Sequence, residues 1–393
     1  MKQTGGGAIT RQAYLELPRS GACLSVHAAP SAEIEIAQGS DAVDAVASPW
    51  RQLETAFGVS SPFQSLTLAK AAAKAHVRAG ETPRIAVVRK NGRPLVIFPT
   101  VVSLFAGVTT VRFLGDPLIQ YGDVIAAPEA SVEQLEAAWS AVADPGVASA
   151  VLLRKVRDDA KIAPLMTKVA SRLSATEAPF VDLPQGDQRR HKHARELQRL
   201  RRRLAERGNV QLEIVRGAAV GQVLRDVIDL KKAWLAERGL PSLVFGNPNW
   251  EGVLLDLVGK DCGGPEMVAA RLTVGGAVAA IEIGFADARS WFAYIGALAP
   301  DFAAGGPGHI QTADTIAHCR EMGLARYDLL PPSQPYKRVL ATGAVPVCDY
   351  GVALAASGHL AVLAERLVPK AKVVIGAMPS QLRSSIFRHF RQH

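Results

Sequence analysis

Cysteine is scarce in this 393-residue chain: there are four, Cys23, Cys262, Cys319 and Cys348, scattered along its length. No two form a C-x-x-C pair or a zinc spacing, so a disulfide framework and a structural zinc site are both excluded. The scarcity suits a reducing compartment, and a cytoplasmic location is the expectation. Apolar runs of the roughly 18 residues needed to span a bilayer are also missing. The start, Met1-Lys2-Gln3-Thr4-Gly5-Gly6-Gly7, leads into no apolar signal core. His191 and His193 have no third ligand close by, so no metal is expected. What is present reads as globular: 48% apolar and 21% charged residues in a chain long enough for two cores.

Acidic charge is short in two places, and the net charge is +9. Arg189, Arg190, Lys192, Arg195, Arg199, Arg201, Arg202, Arg203 and Arg207 form one run, offset only by Glu196 and Glu206. Read as a helix, this run carries charge nearly all round. That predicts a solvated inter-domain helix, with an acidic substrate or a nucleic acid as functional alternatives. After Glu365 no acid follows, while Arg366, Lys370, Lys372, Arg383, Arg388 and Arg391 do. Leu382, Ile386, Phe387 and Phe390 make the end of this tail a short basic amphipathic helix. It suits peripheral contact with an anionic membrane or a cover over the domain.

The middle of the chain reads as a pattern written twice. The first copy has helices at 50–57 and 62–78, then a hairpin at 84–102 turning at Asn91-Gly92. A strand at 108–114, a helix at 131–143 and a strand at 148–156 complete it. The second copy has helices at 223–238 and 248–258, then a hairpin at 267–285 turning at Gly275-Gly276. An aromatic strand at 289–295, a glycine loop, its helix to 322 and a strand at 327–330 follow. The hairpin turns lie 184 residues apart (91 to 275). An α/β chain with an α+β mixed sheet and two duplicated domains is predicted. Its parts are a flexible leader at 1–20, an N-terminal domain at 21–180, a basic helix at 181–208, a C-terminal domain at 209–357 and a basic tail at 358–393.

The copies differ at the loop before the last helix. In the second, Gly305-Gly306-Pro307-Gly308-His309 opens the helix, with Pro307 fitting its first turn. Bare N–H groups and the positive end of a helix dipole favour an anion such as a phosphate there. A plain connecting turn is the alternative. In the first copy no glycine cluster opens the helix, and Glu129 would repel phosphate. That half is expected to serve as a substrate wall.

Together these features resemble the GNAT acyltransferases, and within them the CelD-type acetyltransferases associated with cellulose biosynthesis. The resemblance rests on Trp50 and Leu53 before Ser61-Pro62-Phe63, and on Arg112-Phe113-Leu114-Gly115 followed by Tyr121-Gly122-Asp123. It continues through the arginine run before Gly208, Pro307-Gly308, Gly323 with Tyr327-Asp328, and Tyr336-Lys337. It implies tandem GNAT-like domains and acetyl-CoA or another acyl-CoA as donor, with no metal. The acceptor would be a small molecule or saccharide bearing an amine or hydroxyl, with a link to polysaccharide or envelope metabolism. The chain departs from the family loop in lacking an Arg or Gln just upstream of Gly305.

On that reading Gly305, Gly306, Gly308, His309, Ile310 and Ile295 hold the cofactor. Asp328, Tyr336, Glu282 and His309 are the catalytic candidates, while Tyr294, Lys337, Tyr121 and Asp123 contact substrate. Bland readings stand beside these. Asp328 equally suits a cap for the turn at Pro331-Pro332. Glu282 points either inward or outward, because strand side chains alternate. Tyr336 suits a rim aromatic. The alternatives for the whole chain are a Fem-type aminoacyltransferase fed by aminoacyl-tRNA, and a non-catalytic binding protein with a vestigial loop. Nucleic acid is a possible partner that the residues do not favour.

Overall fold

The computed structural model describes residues 21–29, 32–183, 190–240 and 242–377. The expected leader and the tail segment at 382–391 lie outside them. In the first half the strands are β1 (Ala22–Ala29), β2 (Ala32–Gly39), β3 (Thr82–Lys90), β4 (Arg93–Phe105), β5 (Val108–Phe113), β6 (Ile125–Ala126), β7 (Ala150–Arg157) and β8 (Ser171–Asp182). Its helices are α1 (Ala42–Ala45), α2 (Ala47–Phe57), α3 (Leu66–Arg78), α4 (Val132–Val142) and α5 (Ala163–Val169). The second half has strands β9 (Val210–Val215), β10 (Glu266–Val274), β11 (Ala277–Ala286), β12 (Ser290–Leu298), β13 (Arg326–Asp328) and β14 (Gly343–Ala353). Its helices are α6 (Arg190–Ala205), α7 (Val220–Glu237), α8 (Pro248–Asp256), α9 (Pro307–Glu321), α10 (Pro335–Leu340) and α11 (Gly358–Ala377).

All the strands belong to one mixed sheet, in the order β1-β2-β3-β4-β5-β7-β14-β8-β13-β12-β11-β10-β9, with β6 beside β4. Among the described residues only β5 with β7 and β12 with β13 run parallel. After each parallel pair the chain leaves its own half. β8 pairs with β13 of the second half, and β14 pairs with β7 of the first. The two exchanged strands then pair with each other, from Gly343 opposite Phe180 to Gly351 opposite Ser171. The expected boundary near 180 therefore falls inside a strand whose partners both belong to the second half. Neither half is a closed unit.

Local geometry repeats with the topology. Asn91 and Gly92 have φ of 53° and 75°, and Gly275 and Gly276 have 59° and 83°. Two positive φ values in succession are what a tight type I′ hairpin turn requires. Just before each turn the register slips by one residue, at Val88/Arg89 and at Leu272/Thr273. Beyond each parallel ladder one residue turns left-handed, Lys155 within β7 at 60° and Leu330 after β13 at 58°.

Helices cover both halves of the sheet. β4 is buried from Pro94 to Ser103, so its sequence is nearly continuously apolar rather than alternating. The alanine-rich face of α3 lets α8 approach closely, and the His76 ring meets Trp250 edge-on at 4.8 Å between centroids. Ser131 and Gln134 form a capping box at the start of α4.

In the first half the gap that opens between β5 and β7 is bridged by charge. Arg112 on β5 and Arg154 on β7 both donate to Asp116 Oδ2, at 3.1 and 3.2 Å. Arg154 Nε also donates to Glu365 Oε1 of α11 at 2.7 Å. The two guanidiniums hold the Asp116 carboxyl below its usual range against the opposing effect of burial. Stripping one partner from such a buried network typically costs ~3–5 kcal/mol.

The exchange makes a direct prediction. A fragment covering residues 21–183 has β8 but no β14, so β7 lacks a neighbour. Two copies can supply each other's missing strand. The fragment is expected to form a concentration-dependent dimer in light scattering. A monomer with one cooperative unfolding transition would contradict the exchange as the constraint on folding.

Candidate functional site

The second half opens where β12 leaves β13. Register between β11 and β12 slips between Ile283 and Gly284, which face Ile295 and Ala293, so Tyr294 is an extra residue. A bulge of this kind bends its strand and increases its twist. The parallel ladder of β12 with β13 has three pairs and ends at Phe292 opposite Asp328. Beyond Ala293, β12 has no strand partner on that side. The Tyr294 hydroxyl donates to Leu118 O of the first half at 2.8 Å. Its ring lies 5.6 Å from Phe63 and 5.5 Å from Phe285, and burial pushes the phenol above its usual pKa.

From β12 the chain makes a 3-10 turn at Pro300–Gly305, then turns left-handed at Gly306 (φ +66°) and enters α9 with Pro307 first. The N-cap of α9 is Gly306, which has no side chain to cap the helix. The glycines have packing reasons. A Cβ on Gly305 would fall 2.5 Å from Leu204 Cδ2, one on Gly306 3.2 Å from Leu200, and one on Gly308 3.0 Å from Leu298 Cδ2. Helix α6 therefore lies directly on the loop. Leu197, Leu200 and Leu204 pack with Phe302, Ile310, Leu272 and Val274. Arg201 pairs with Asp314, and Arg207 donates to Asp301 O at 2.6 Å with its guanidinium 4.1 Å from the Phe302 ring centroid.

This corrects the expectation of a helix charged all round. Spacings of three and four residues put the leucines on one buried face. Arg195, Arg199, Arg202 and Arg203 are exposed on the opposite one. Ile310 and Ile295, expected at the cofactor, are 1% and 8% exposed core residues. The His309 ring meets Tyr336 edge-on at 6.2 Å.

Two carboxylates are buried near the opening. Asp328 ends β13, and its Oδ1 accepts from the Tyr121 hydroxyl at 2.7 Å and from Leu330 N at 2.8 Å. It caps the turn after β13, as one of the sequence readings had it, and also meets the first half. Arg157 of β7 reaches Oδ2 at 3.5 Å, and its guanidinium lies 4.7 Å from the Tyr121 ring centroid. Burial raises the Asp328 pKa, opposed by Tyr121, Leu330 and Arg157. Glu282 on β11 points inward and takes hydrogen bonds from Trp291 Nε1 at 2.8 Å and from the Tyr327 hydroxyl at 2.7 Å. Burial raises it too.

Lys337, 9% exposed, donates from Nζ to Leu330 O at 2.8 Å. Burial lowers its pKa to about 8, against the pull of Asp328 and then Glu282. Tyr336 is 41% exposed, and burial of part of its surface and the Glu282 charge raise its phenol pKa. Asp123 turns elsewhere: its carboxylate accepts from the backbone N–H of Val124, Lys161 and Ile162 at 2.8–3.1 Å. Burial raises it to about 6.

The structure thus joins Asp328 to Tyr121, ties Lys337 to the turn after β13 and places His309 against Tyr336. Sequence reasoning gave Arg157, Trp291 and Tyr327 no role at the site. Trp291 stood in the aromatic strand and Tyr327 beside Asp328 in the resemblance, while Arg157 left no signal. A cavity of about 400 Å³, lined among others by Arg51, Glu54, Lys70, Lys260 and Asp261, takes in none of the expected site residues.

Residues 191–338 match the sequence profile of the acetyltransferase (GNAT) domain. No curated protein matches the chain. Among solved structures, the C-terminal domain of a putative lysylphosphatidylglycerol synthetase from Agrobacterium fabrum superposes with a TM-score of 0.54 at 13% identity, covering 83% of this chain and 97% of that one. The L-PGS of Bacillus licheniformis overlaps less closely, with a TM-score of 0.47 at 11% identity over 70% of this chain and 86% of that one. A tandem GNAT protein from the clavulanic acid biosynthesis pathway gives 0.44 at 12% identity over 82% and 98%. The chain folds as one mixed α/β sheet, and its residues 191–338 match a GNAT-type acetyltransferase domain, which supports a transferase.

Proposed function

We propose that the protein moves an acyl group, acetyl first, from acyl-CoA to an amine or hydroxyl of an acceptor held between the halves. One observation carries this reading. The bulge at Tyr294 parts β12 from β13 at Asp328, beside a helix N-terminus whose N-cap residue is the glycine Gly306. The pyrophosphate would lie at Gly308 and His309, where the helix end favours negative charge. N–H groups of β12 past the bulge would steady the oxyanion as the acceptor adds to the thioester carbonyl.

An alkylamine of pKa ~10 is neutral about once in a thousand at pH 7, so its proton needs a destination. Asp328 would take it, with Tyr121 and Arg157 holding the carboxylate in place. The carbon–sulfur bond then breaks, and Tyr336 would protonate the leaving thiolate. Lys337 would hold an anionic group of the acceptor or a cofactor phosphate. The CelD-type assignment and the link to polysaccharide or envelope metabolism belong to this proposal. They rest on the motifs around Arg112-Phe113-Leu114-Gly115 and Tyr336-Lys337.

A second reading, aminoacyl-tRNA as donor, is favoured by one observation. The exposed arginine row of α6 lies on the helix that covers the glycine loop. A phosphate backbone laid along that row would bring its end to the same opening.

Calorimetry with CoA and acetyl-CoA tests the first reading. Wild type is expected to bind, and Gly308→Glu to lose binding through both charge and contact with Leu298. Binding of aminoacyl-tRNA without CoA would move the second reading to the front. Once an acceptor is in hand, Asp328→Asn is expected to lower kcat by ~10²–10⁴-fold with little change in acyl-CoA affinity, measured by steady-state kinetics and calorimetry.

Lys337 gives a pH test. Its folded pKa lies below the unfolded value of ~10.4, so between pH 8 and that value the unfolded state binds the extra proton. Stability is therefore expected to rise with pH across this window in wild type relative to Lys337→Met. Chemical denaturation at several pH values reads the difference, of order 3 kcal/mol at most.

A further inference from the structure

Helix α11 is built the wrong way round for a helix that faces water. Its inner side carries Ala361 and a charged residue, Glu365, 0% and 5% exposed. Its outer side carries Leu360, Leu363 and Leu367, which are 62%, 55% and 47% exposed. These leucines are spaced by three and four residues and form one stripe.

The rotation of the helix is fixed from inside. Glu365 is tied to Arg154, which is itself tied to Asp116. At the start of the helix a Cβ on Gly358 would fall 1.9 Å from Ser149 O, so only glycine permits the approach. Turning the leucines inward would strand a carboxylate and a guanidinium, so the stripe stays outside. Arg366 is exposed beside it.

The chain that follows says what would cover the stripe. From Arg366 to His393 there is no acid, while Arg366, Lys370, Lys372, Arg383, Arg388 and Arg391 are cationic and apolar residues are interleaved with them. A second copy would bring the same positive charge to the same face and repel it. An anionic lipid surface offers apolar depth for leucine and negative charge for arginine and lysine. No helix among the described residues is long and apolar enough to cross a membrane. We propose that α11 seats the protein on an anionic membrane surface, with Leu360, Leu363 and Leu367 inserted among the lipids.

The test is co-sedimentation of the full chain with vesicles of phosphatidylcholine, alone or mixed equally with phosphatidylglycerol. Wild type is expected to bind the mixed vesicles and to release as salt rises, because exposed charges are screened. L360Q/L363Q/L367Q is expected to weaken that binding by roughly ten-fold or more, from the lost apolar insertion. Gln and Leu have similar helix propensity, so the unfolding midpoint should hold and the loss should not reflect misfolding. R383Q/R388Q/R391Q is expected to weaken binding to the mixed vesicles only. Three results would overturn the proposal: no binding by wild type, equal binding to both vesicle types, or undiminished binding by the leucine variant. A wild-type dimer that the leucine variant loses, without vesicle binding, would assign the face to a second copy instead.

Discussion

The pairing of β8 with β14 is the constraint on which the rest of this molecule depends. Each strand fills the slot beside the other half's parallel pair, and together they fuse two sheets into one. Ladder hydrogen bonds are collective, so neither half can loosen without exposing strand edges in both. Rigid placement of two distant residues follows. Tyr121 and Asp328 come from different halves, 207 positions apart in the chain, yet meet at 2.7 Å. The continuous sheet behind them holds this contact at ordinary hydrogen-bond distance.

That scaffold also separates two carboxylates. Asp328 looks toward Tyr121 and Arg157, while Glu282 looks toward Trp291 and Tyr327. Both are raised by burial, and both act on Lys337. Their partners differ in kind. Glu282 is held by two donors deep in a hydrophobic cluster, which suits a fixed structural anchor. Asp328 is held at the point where two strands part. Both charges favour the protonated form of Lys337 against its burial.

Much of the fold was legible because its signals are local. Asn91-Gly92 and Gly275-Gly276 announce hairpins through backbone freedom alone, and Pro307 announces a helix start. The exchanged strands were not legible. Ser171–Asp182 alternates weakly in burial, and its partners are set by topology rather than by neighbours in sequence. β1, β2 and β9 were passed over as well. At the site, Asp328, Glu282 and Lys337 were readable as chemical types but not as an arrangement. The Tyr121 contact and the role of Arg157 arise only from long-range pairing. Leu197, Leu200 and Leu204 were in plain view at helical spacing, but the arginines between them masked the apolar face.

The strand exchange also has a consequence for synthesis. β8 ends at Asp182, but its neighbour β14 is complete only at Ala353, about 170 residues later. At ~5–20 residues per second, the first half waits roughly 10–30 s beside the ribosome with an open edge on β7. During that interval its nearest complementary strand belongs to another nascent chain on the same message. Correct assembly is thus a race between elongation and encounter with a neighbour. A slow codon between β8 and β14 would be felt as aggregation rather than as a local defect.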